Sequence, residues 1–359
     1  MSRPRGSPVA EWPPSDPRGV ALLAGKDQEP GLLKAGVIGF GAFGRHHAGK
    51  YAALPGVALA AIADPSVDAR RDALAKHGVP VSSDWRELLG KVDLVSICSP
   101  AVTHGPLVRA FLNAGIHVLV EKPIATDLNE ADGLIALAEI KNCVLTVGHQ
   151  ERFVFARTGM LDYVDAPKRV ECWRTGPWTG RGADVSVVLD LMIHDLDIVV
   201  SFANSAVKEV RAVGLPILSG KVDIANVRLE FESGCVANFT ASRVSTERVR
   251  KLRFFQPRQY VSVDYGRQEV LVFTVGQEGS TSSTPTVNPQ IGVGKPSVTS
   301  EEPLHAELKS FLQAVRERST PVVPISDGRR ALALALDIVG TIREHGKKVG
   351  LAGLAKAKG

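Results

Sequence analysis

The chain has 359 residues, enough for two domains that each bury a core. Hydrophobic residues make up 44% and charged residues 23%, the balance of a soluble globular protein, and no apolar run reaches the length of a membrane span. The formal charge of +5, from 43 basic and 38 acidic residues, is spread along the chain; it argues against a nucleic-acid-binding stripe and suits an anionic small substrate without demanding one.

In chain order, residues 1–33 are rich in Pro, Arg and Ser and are expected to form a disordered leader. They lack the basic-then-apolar pattern of a secretory signal. From residue 34 to 150 the pattern alternates strand and helix. Strands are expected at 35–40, 57–63, 94–98, 117–120 and 144–147. Helices are expected at 43–54, 66–77, 103–114 and 128–140, with Gly78 and Gly115 as stop signals. β-branched runs between amphipathic helices imply a parallel sheet covered on both faces, a doubly wound Rossmann domain. After residue 151 the texture changes. A strand at 169–174 and a helix at 187–202 precede six alternating segments: 207–213, 222–230, 236–242, 249–255, 259–264 and 269–273. Period-two alternation predicts a large, open, mostly antiparallel sheet with one face wet. Residues 276–300 read as a Gly/Ser/Thr/Pro-rich loop, and 304–318 and 328–345 as helices. The second α/β domain is therefore placed at 151–345 and a flexible tail at 346–359. Cys98, Cys143, Cys172 and Cys235 form no CxxC pair, and suit a reduced, cytoplasmic protein.

The first strand runs into Gly39-Phe40-Gly41-Ala42-Phe43-Gly44, a G-x-G-x-x-G loop that opens a helix. Gly39 permits the turn, Gly41 lets a pyrophosphate approach the backbone, and Gly44 allows close helix packing. Asp64 follows Gly44 by twenty residues at the end of the next strand. An acid there accepts from both adenosine ribose hydroxyls and repels a 2′-phosphate, favouring NAD over NADP. It also suits the turn before Pro65.

Ser99 and Pro100 end the third strand, with Thr103 and His104 opening the next helix. Thr103 is either a cap or a cofactor contact, and His104 either a contact or an ordinary surface residue. Glu121-Lys122-Pro123 ends the following strand at the same edge. A lysine there can donate to a substrate hydroxyl or a developing oxyanion. In VVLDLMIHDLDIVV, Asp190, His194 and Asp197 fall on one helical face of an apolar segment, where an unpaired charge is costly. Histidine is the natural proton carrier near neutral pH. No HxxxH or Cys/His spacing is present, so no metal is expected.

Together, GFGAFG, Asp64, EKP and D-x-x-x-H resemble the glucose–fructose oxidoreductase / inositol dehydrogenase / MocA (Gfo/Idh/MocA) family over residues 34–345. The resemblance implies a Rossmann domain joined to an α/β domain on an open sheet. It implies Lys122, Asp190 and His194 as the catalytic group. The form LDLMIHDLDIV with GHQERF is most similar to UDP-N-acetylglucosamine 3-dehydrogenases, which make a 3-keto sugar for transamination toward diamino-sugar lipid A. The family often has Asn where Gln150 stands, and Gln150 is taken as a cofactor contact. Arg152, Arg174, Arg181 and Arg243 are candidates for an anionic sugar nucleotide. The expected function is NAD-dependent oxidation of a sugar hydroxyl, His194 taking the proton, Lys122 steadying the oxyanion and Asp190 orienting them. The alternatives are a dehydrogenase of a free polyol such as an inositol, and a non-catalytic NAD(H) sensor. The open sheet needs a cover, so a homodimer or homotetramer is expected.

Overall fold

The computed structural model describes residues 31–180, 182–267, 269–275, 291–294 and 301–350. The leader up to residue 30, Arg181, most of the loop expected at 276–300 and the tail from 351 lie outside the described residues.

The first domain holds β1 (Leu33–Ile38), α1 (Ala42–Tyr51), β2 (Val57–Ala63), α2 (Val67–His77), β3 (Val81–Ser82), β4 (Leu94–Ile97), α3 (His104–Asn113), β5 (His117–Glu121), α4 (Leu128–Ile140) and β6 (Leu145–Gly148). All six strands are parallel, in the order β3-β2-β1-β4-β5-β6. This is the doubly wound sheet expected from the buried β-branched runs. Strand order reverses between β1 and β4, and the chain leaves these neighbours toward opposite faces. A crevice opens at that switch point, beyond the strands' carboxyl ends. Gly78 ends α2 in the left-handed conformation at φ +66°, as its stop signal requires.

The second domain adds α5 (Gln150–Arg157), β7 (Arg169–Thr175), a π-helical turn (Val188–Met192) and α6 (Ile193–Ala203). There follow β8 (Val207–Leu215), β9 (Ile224–Phe231), β10 (Val236–Ser242), β11 (Val249–Gln256), β12 (Gln259–Asp264), β13 (Glu269–Val275), β14 (Ile291–Gly294), α7 (Pro303–Glu317) and α8 (Ile325–Lys348). Eight strands form one sheet, β14-β13-β12-β11-β7-β10-β9-β8, antiparallel throughout except where β7 runs parallel to β10. Alternation sets its faces. On β9, Ala225, Val227, Leu229 and Phe231 are buried in the core shared with α6 and α8, while Asn226 and Arg228 are exposed. On the outer strands Tyr260 stacks on Phe255 at 4.9 Å and on Phe273 at 5.4 Å between ring centroids.

Three features depart from the sequence reading. The helix expected over 187–202 is split, its first part wound as the π turn. The helix expected from Gly328 starts three residues earlier, at Ile325; Gly328 lies inside it, where a Cβ would crowd Val147 Cγ2 at 2.8 Å. Finally, α7 returns to the first domain. Leu304, Leu308 and Phe311 share a core with Ala35, Val37 and Leu119, so the span 151–345 is not one separate body.

Candidate active site

The glycine loop forms from steric necessity. Gly39 has φ +87°, and a Cβ there would lie 2.9 Å from the Cys98 carbonyl and the Ser99 nitrogen. A Cβ on Gly44 would overlap the Gly39 carbonyl oxygen. Gly41 differs: a Cβ there meets nothing within 4 Å, because this residue faces the open crevice. Gly41 is also the N-cap of α1, with no side-chain cap and no acid in the first turn. The first amides of α1 thus retain their capacity for an anion. These features fit the pyrophosphate of a dinucleotide.

Asp64 takes the Phe40 amide on Oδ2 at 2.6 Å and the Ser66 amide on Oδ1 at 2.8 Å. Each carboxylate oxygen keeps a further lone pair for a ribose hydroxyl. Phe40 itself is buried and offers only its backbone. Arg70 donates from Nη1 to the Asp64 and Pro65 carbonyls, both at 2.8 Å, so it ties the turn and is already engaged where a 2′-phosphate would need it.

On the opposite wall the Ser99 and Thr103 hydroxyls are 2.6 Å apart, and Thr103 donates to the Pro100 carbonyl at 2.7 Å. His104 is not the surface residue that one reading allowed. It is buried, with Nδ1 2.7 Å from the Pro123 carbonyl and Nε2 2.9 Å from the Ser99 carbonyl. Its place is to brace the two loops of the crevice. Gln150 opens α5, half-buried, outside the crevice wall.

The crevice has a volume of about 990 Å³ and joins the glycine loop, Asp64 and Ser99 to Glu121, Lys122 and Asp190. Lys122 Nζ donates to the Asp190 carbonyl at 2.6 Å and to its Oδ1 at 3.2 Å, linking the two domains. The π turn carries Asp190. Its wider backbone spacing re-aims a side chain that a regular α-helix would place otherwise. Behind Lys122, Glu121 meets His47 Nε2 at 3.2 Å, and His47 Nδ1 reaches the Ser96 hydroxyl at 3.0 Å. Burial favours the protonated form of Glu121, but the His47 contact and the His47, Lys122 and His104 charges outweigh it and hold the carboxyl below its ordinary value.

His194 lies in the first turn of α6, half-buried and off the crevice wall, its Nδ1 enclosed without a hydrogen-bond partner among the described residues. Burial, then the charges of Lys122, Arg174, His149 and Arg250, push its pKa well below the ordinary histidine value. Its ring is therefore neutral at physiological pH.

The arginines expected to meet substrate are corrected by their partners. Arg152, 5% exposed, grips Asp197 at 2.6 and 2.8 Å and Asp327 at 3.0 Å. Arg174, 2% exposed, grips Asp195 at 3.0 and 2.8 Å and Glu151 at 2.9 Å. Arg243 grips Asp223 at 2.8 Å and donates to the Gly182 carbonyl. All three join elements inside the protein. Asp197 likewise belongs to the Arg152 cluster rather than to a stripe with Asp190. Sequence reasoning passed over His149, which follows β6 at the same edge and is buried 3.8 Å from Asp197, and Arg250, half-buried and 3.7 Å from Glu151. Only the strand-end position of His149 was a usable signal. No group of His, Cys, Asp or Glu among the described residues is placed to hold a metal ion, and no described helix is long and apolar enough to cross a membrane.

Comparison with known proteins agrees with this geometry. Residues 33–149 match the model of an oxidoreductase family with an NAD-binding Rossmann fold, and residues 154–262 match the GFO/IDH/MocA C-terminal domain. The chain is 34% identical over 312 residues to a UDP-N-acetylglucosamine 3-dehydrogenase of Acidithiobacillus ferrooxidans, covering 85% of this chain and 96% of that one. It is 28% identical over 323 residues to a myo-inositol 2-dehydrogenase of Thermotoga maritima, covering 84% and 94%. A solved structure of the Acidithiobacillus ferrooxidans enzyme superposes with a TM-score of 0.78 at 32% identity, covering 87% of this chain and 98% of that one. A scyllo-inositol dehydrogenase of Lactobacillus casei, solved with NAD(H) and scyllo-inositol, shares the fold at a TM-score of 0.71 and 20% identity, covering 88% and 98%.

Proposed function

Because the chain belongs to the Gfo/Idh/MocA family of oxidoreductases, with an NAD-binding Rossmann domain, we propose that it oxidises C3 of the N-acetylglucosamine unit of UDP-N-acetylglucosamine to a ketone. The observation that carries this reading is the Lys122–Asp190 pair, set in a crevice continuous with the dinucleotide loop. The glycine loop and Asp64 would hold NAD, which would supply the acceptor for the hydride leaving the carbinol carbon. Lys122 holds a positive charge against the alcohol oxygen as it becomes an alkoxide. Asp190 fixes the direction of that ammonium through two contacts. His194, neutral and next along the same segment, takes the hydroxyl proton from a sugar seated over the Asp190 turn. The 3-keto product is the kind of ketone a transaminase consumes, as in diamino-sugar lipid A synthesis. The four free cysteines suit work in the cytoplasm.

One observation favours a second reading, a free polyol such as an inositol. Arg152, Arg174 and Arg243 are already engaged, so they do not wait for a diphosphate. A panel of UDP-sugars and polyols, followed by NADH absorbance, separates the two. Turnover of UDP-N-acetylglucosamine that Lys122→Met lowers in kcat by roughly a hundredfold or more supports the proposal. Turnover of inositols alone replaces it with the second reading.

A further inference from the structure

We propose that Asp184 is a specificity-determining residue of this crevice: its carboxylate accepts hydrogen bonds from a neutral sugar and turns away a sugar that bears a carboxylate of its own. The inference rests on the sugar-dehydrogenase reading above and narrows its substrate class.

The second domain contributes Gly182, Asp184, Val185, Leu189 and Asp190 to the crevice wall. Only the two aspartates among them bring polar side chains, and Asp190 is taken by Lys122 at 3.2 Å. Asp184 is exposed, and among the described residues its carboxylate has no hydrogen-bond or ion-pair partner. It therefore faces whatever fills the crevice.

Its position is fixed by the turn that carries it. The Val185 amide closes on the Gly182 carbonyl at 3.4 Å. That carbonyl also accepts from Arg243, which Asp223 holds at 2.8 Å and Ser219 at 3.1 Å. On the other side Gly182, at φ +65°, packs so closely that a Cβ would overlap Asp190 Oδ2. Asp184 thus rides on a turn pinned between a buried ion pair and the catalytic aspartate.

Charge decides what it selects. At this end of the crevice Lys122 is offset by Asp190, and Glu121 is engaged by His47. Asp184 remains as an acceptor-only anion. Sugar hydroxyls and an amide N–H satisfy it through charge-assisted bonds. A uronate carboxylate or a phosphate facing it meets a like charge, an exclusion that works by repulsion. The sugar ring accordingly points toward the turn, and a diphosphate points away from it.

The test uses the full-length protein with NAD, and compares UDP-N-acetylglucosamine with its C6 uronate and glucose with glucuronate. In Asp184→Asn the KM for the neutral sugar rises roughly tenfold or more, with a smaller loss in kcat. The preference for neutral over acidic sugar falls by about tenfold or more. Asp184→Glu keeps the charge, and so keeps the rejection of the uronate. Unchanged KM and unchanged preference in Asp184→Asn, with NAD binding as in wild type, overturns the inference. If Asp184→Asn fails to bind NAD, Asp184→Ser is read by the same two criteria. A wild type that ignores all UDP-sugars overturns the nucleotide-sugar reading alone, and the glucose–glucuronate pair then decides the role of Asp184.

Discussion

Replacing Arg152 by methionine separates a structural arginine from a substrate-binding one. The guanidinium is buried and makes three short contacts, at 2.6 and 2.8 Å to Asp197 and 3.0 Å to Asp327, so it ties α5 to α6 and α8. Methionine keeps much of the volume and none of the charge. Asp327 retains Arg330, but Asp197 is left with His149 at 3.8 Å as its nearest basic group. Breaking a buried pair on one side costs about 3–5 kcal/mol, because the remaining charge is stranded. At about 2–4 °C per kcal/mol for domains of this size, Tm falls on the order of 10 °C. Adding Asp197→Asn recovers part of the loss, since it removes the stranded charge. The assay is thermal unfolding of wild type, Arg152→Met and the double variant, with sugar kinetics well below the lower Tm. Arg152→Met should show a lowered Tm and a KM within about threefold of wild type. An unchanged Tm with a KM raised tenfold or more refutes it and returns Arg152 to the substrate.

The remaining predictions concern protons, backbone and assembly. His194 must be neutral to take a proton, and its pKa is depressed by burial and then by Lys122. The acidic limb of kcat/KM for oxidation should therefore lie well below the ordinary histidine range, and a limb at or above about 6.5 would exclude His194 as the base. Glu307 is 4% exposed, and burial followed by the Glu121 charge raises its pKa well above the ordinary value. Its contribution is present in full below the unfolded pKa and is lost as pH rises through the raised folded value, so Glu307→Gln should flatten the fall in stability over the range from the ordinary carboxylate value up to that raised one; identical pH–stability curves would contradict this. Gly44→Ala, whose methyl would overlap the Gly39 carbonyl, should abolish NAD binding in a titration while the second domain stays folded. The open sheet face bearing Phe255, Tyr260 and Phe273 should associate with a second copy, and a monomer by light scattering would contradict that.

What the sequence made legible was local. Gly39 and Gly44 are forced by contacts with the strand and helix that flank them, so the motif and its context lie within one short stretch. Parallel and antiparallel sheets announced themselves through burial on two faces or on one. Lys122 and Asp190 were legible as candidates because polar residues at a strand end or in an apolar helix are conspicuous. Their pairing over 68 residues was not visible, nor was the π turn, since i→i+4 and i→i+5 winding leave the same apolar pattern. The arginines failed for the same reason. Nothing near Arg152 in the chain announces Asp197, 45 residues on, or Asp327, 175 residues on. Arg174 on β7 finds its acids on α5 and α6, and Arg243 finds Asp223 beside the neighbouring strand, meetings that only the fold brings about. His104 stayed open between a cofactor contact and a surface residue because its two carbonyl partners belong to loops that meet only in the fold.

The proposed reaction moves a hydride from C3 of a nucleotide-linked amino sugar to NAD. Mass analysis of the reduced cofactor formed from UDP-N-acetylglucosamine deuterated at C3 tests it most directly. The expected product is NADH one mass unit heavy, formed by wild type and lost in Lys122→Met. Unlabelled NADH from that substrate, or none while inositols are oxidised, would contradict it.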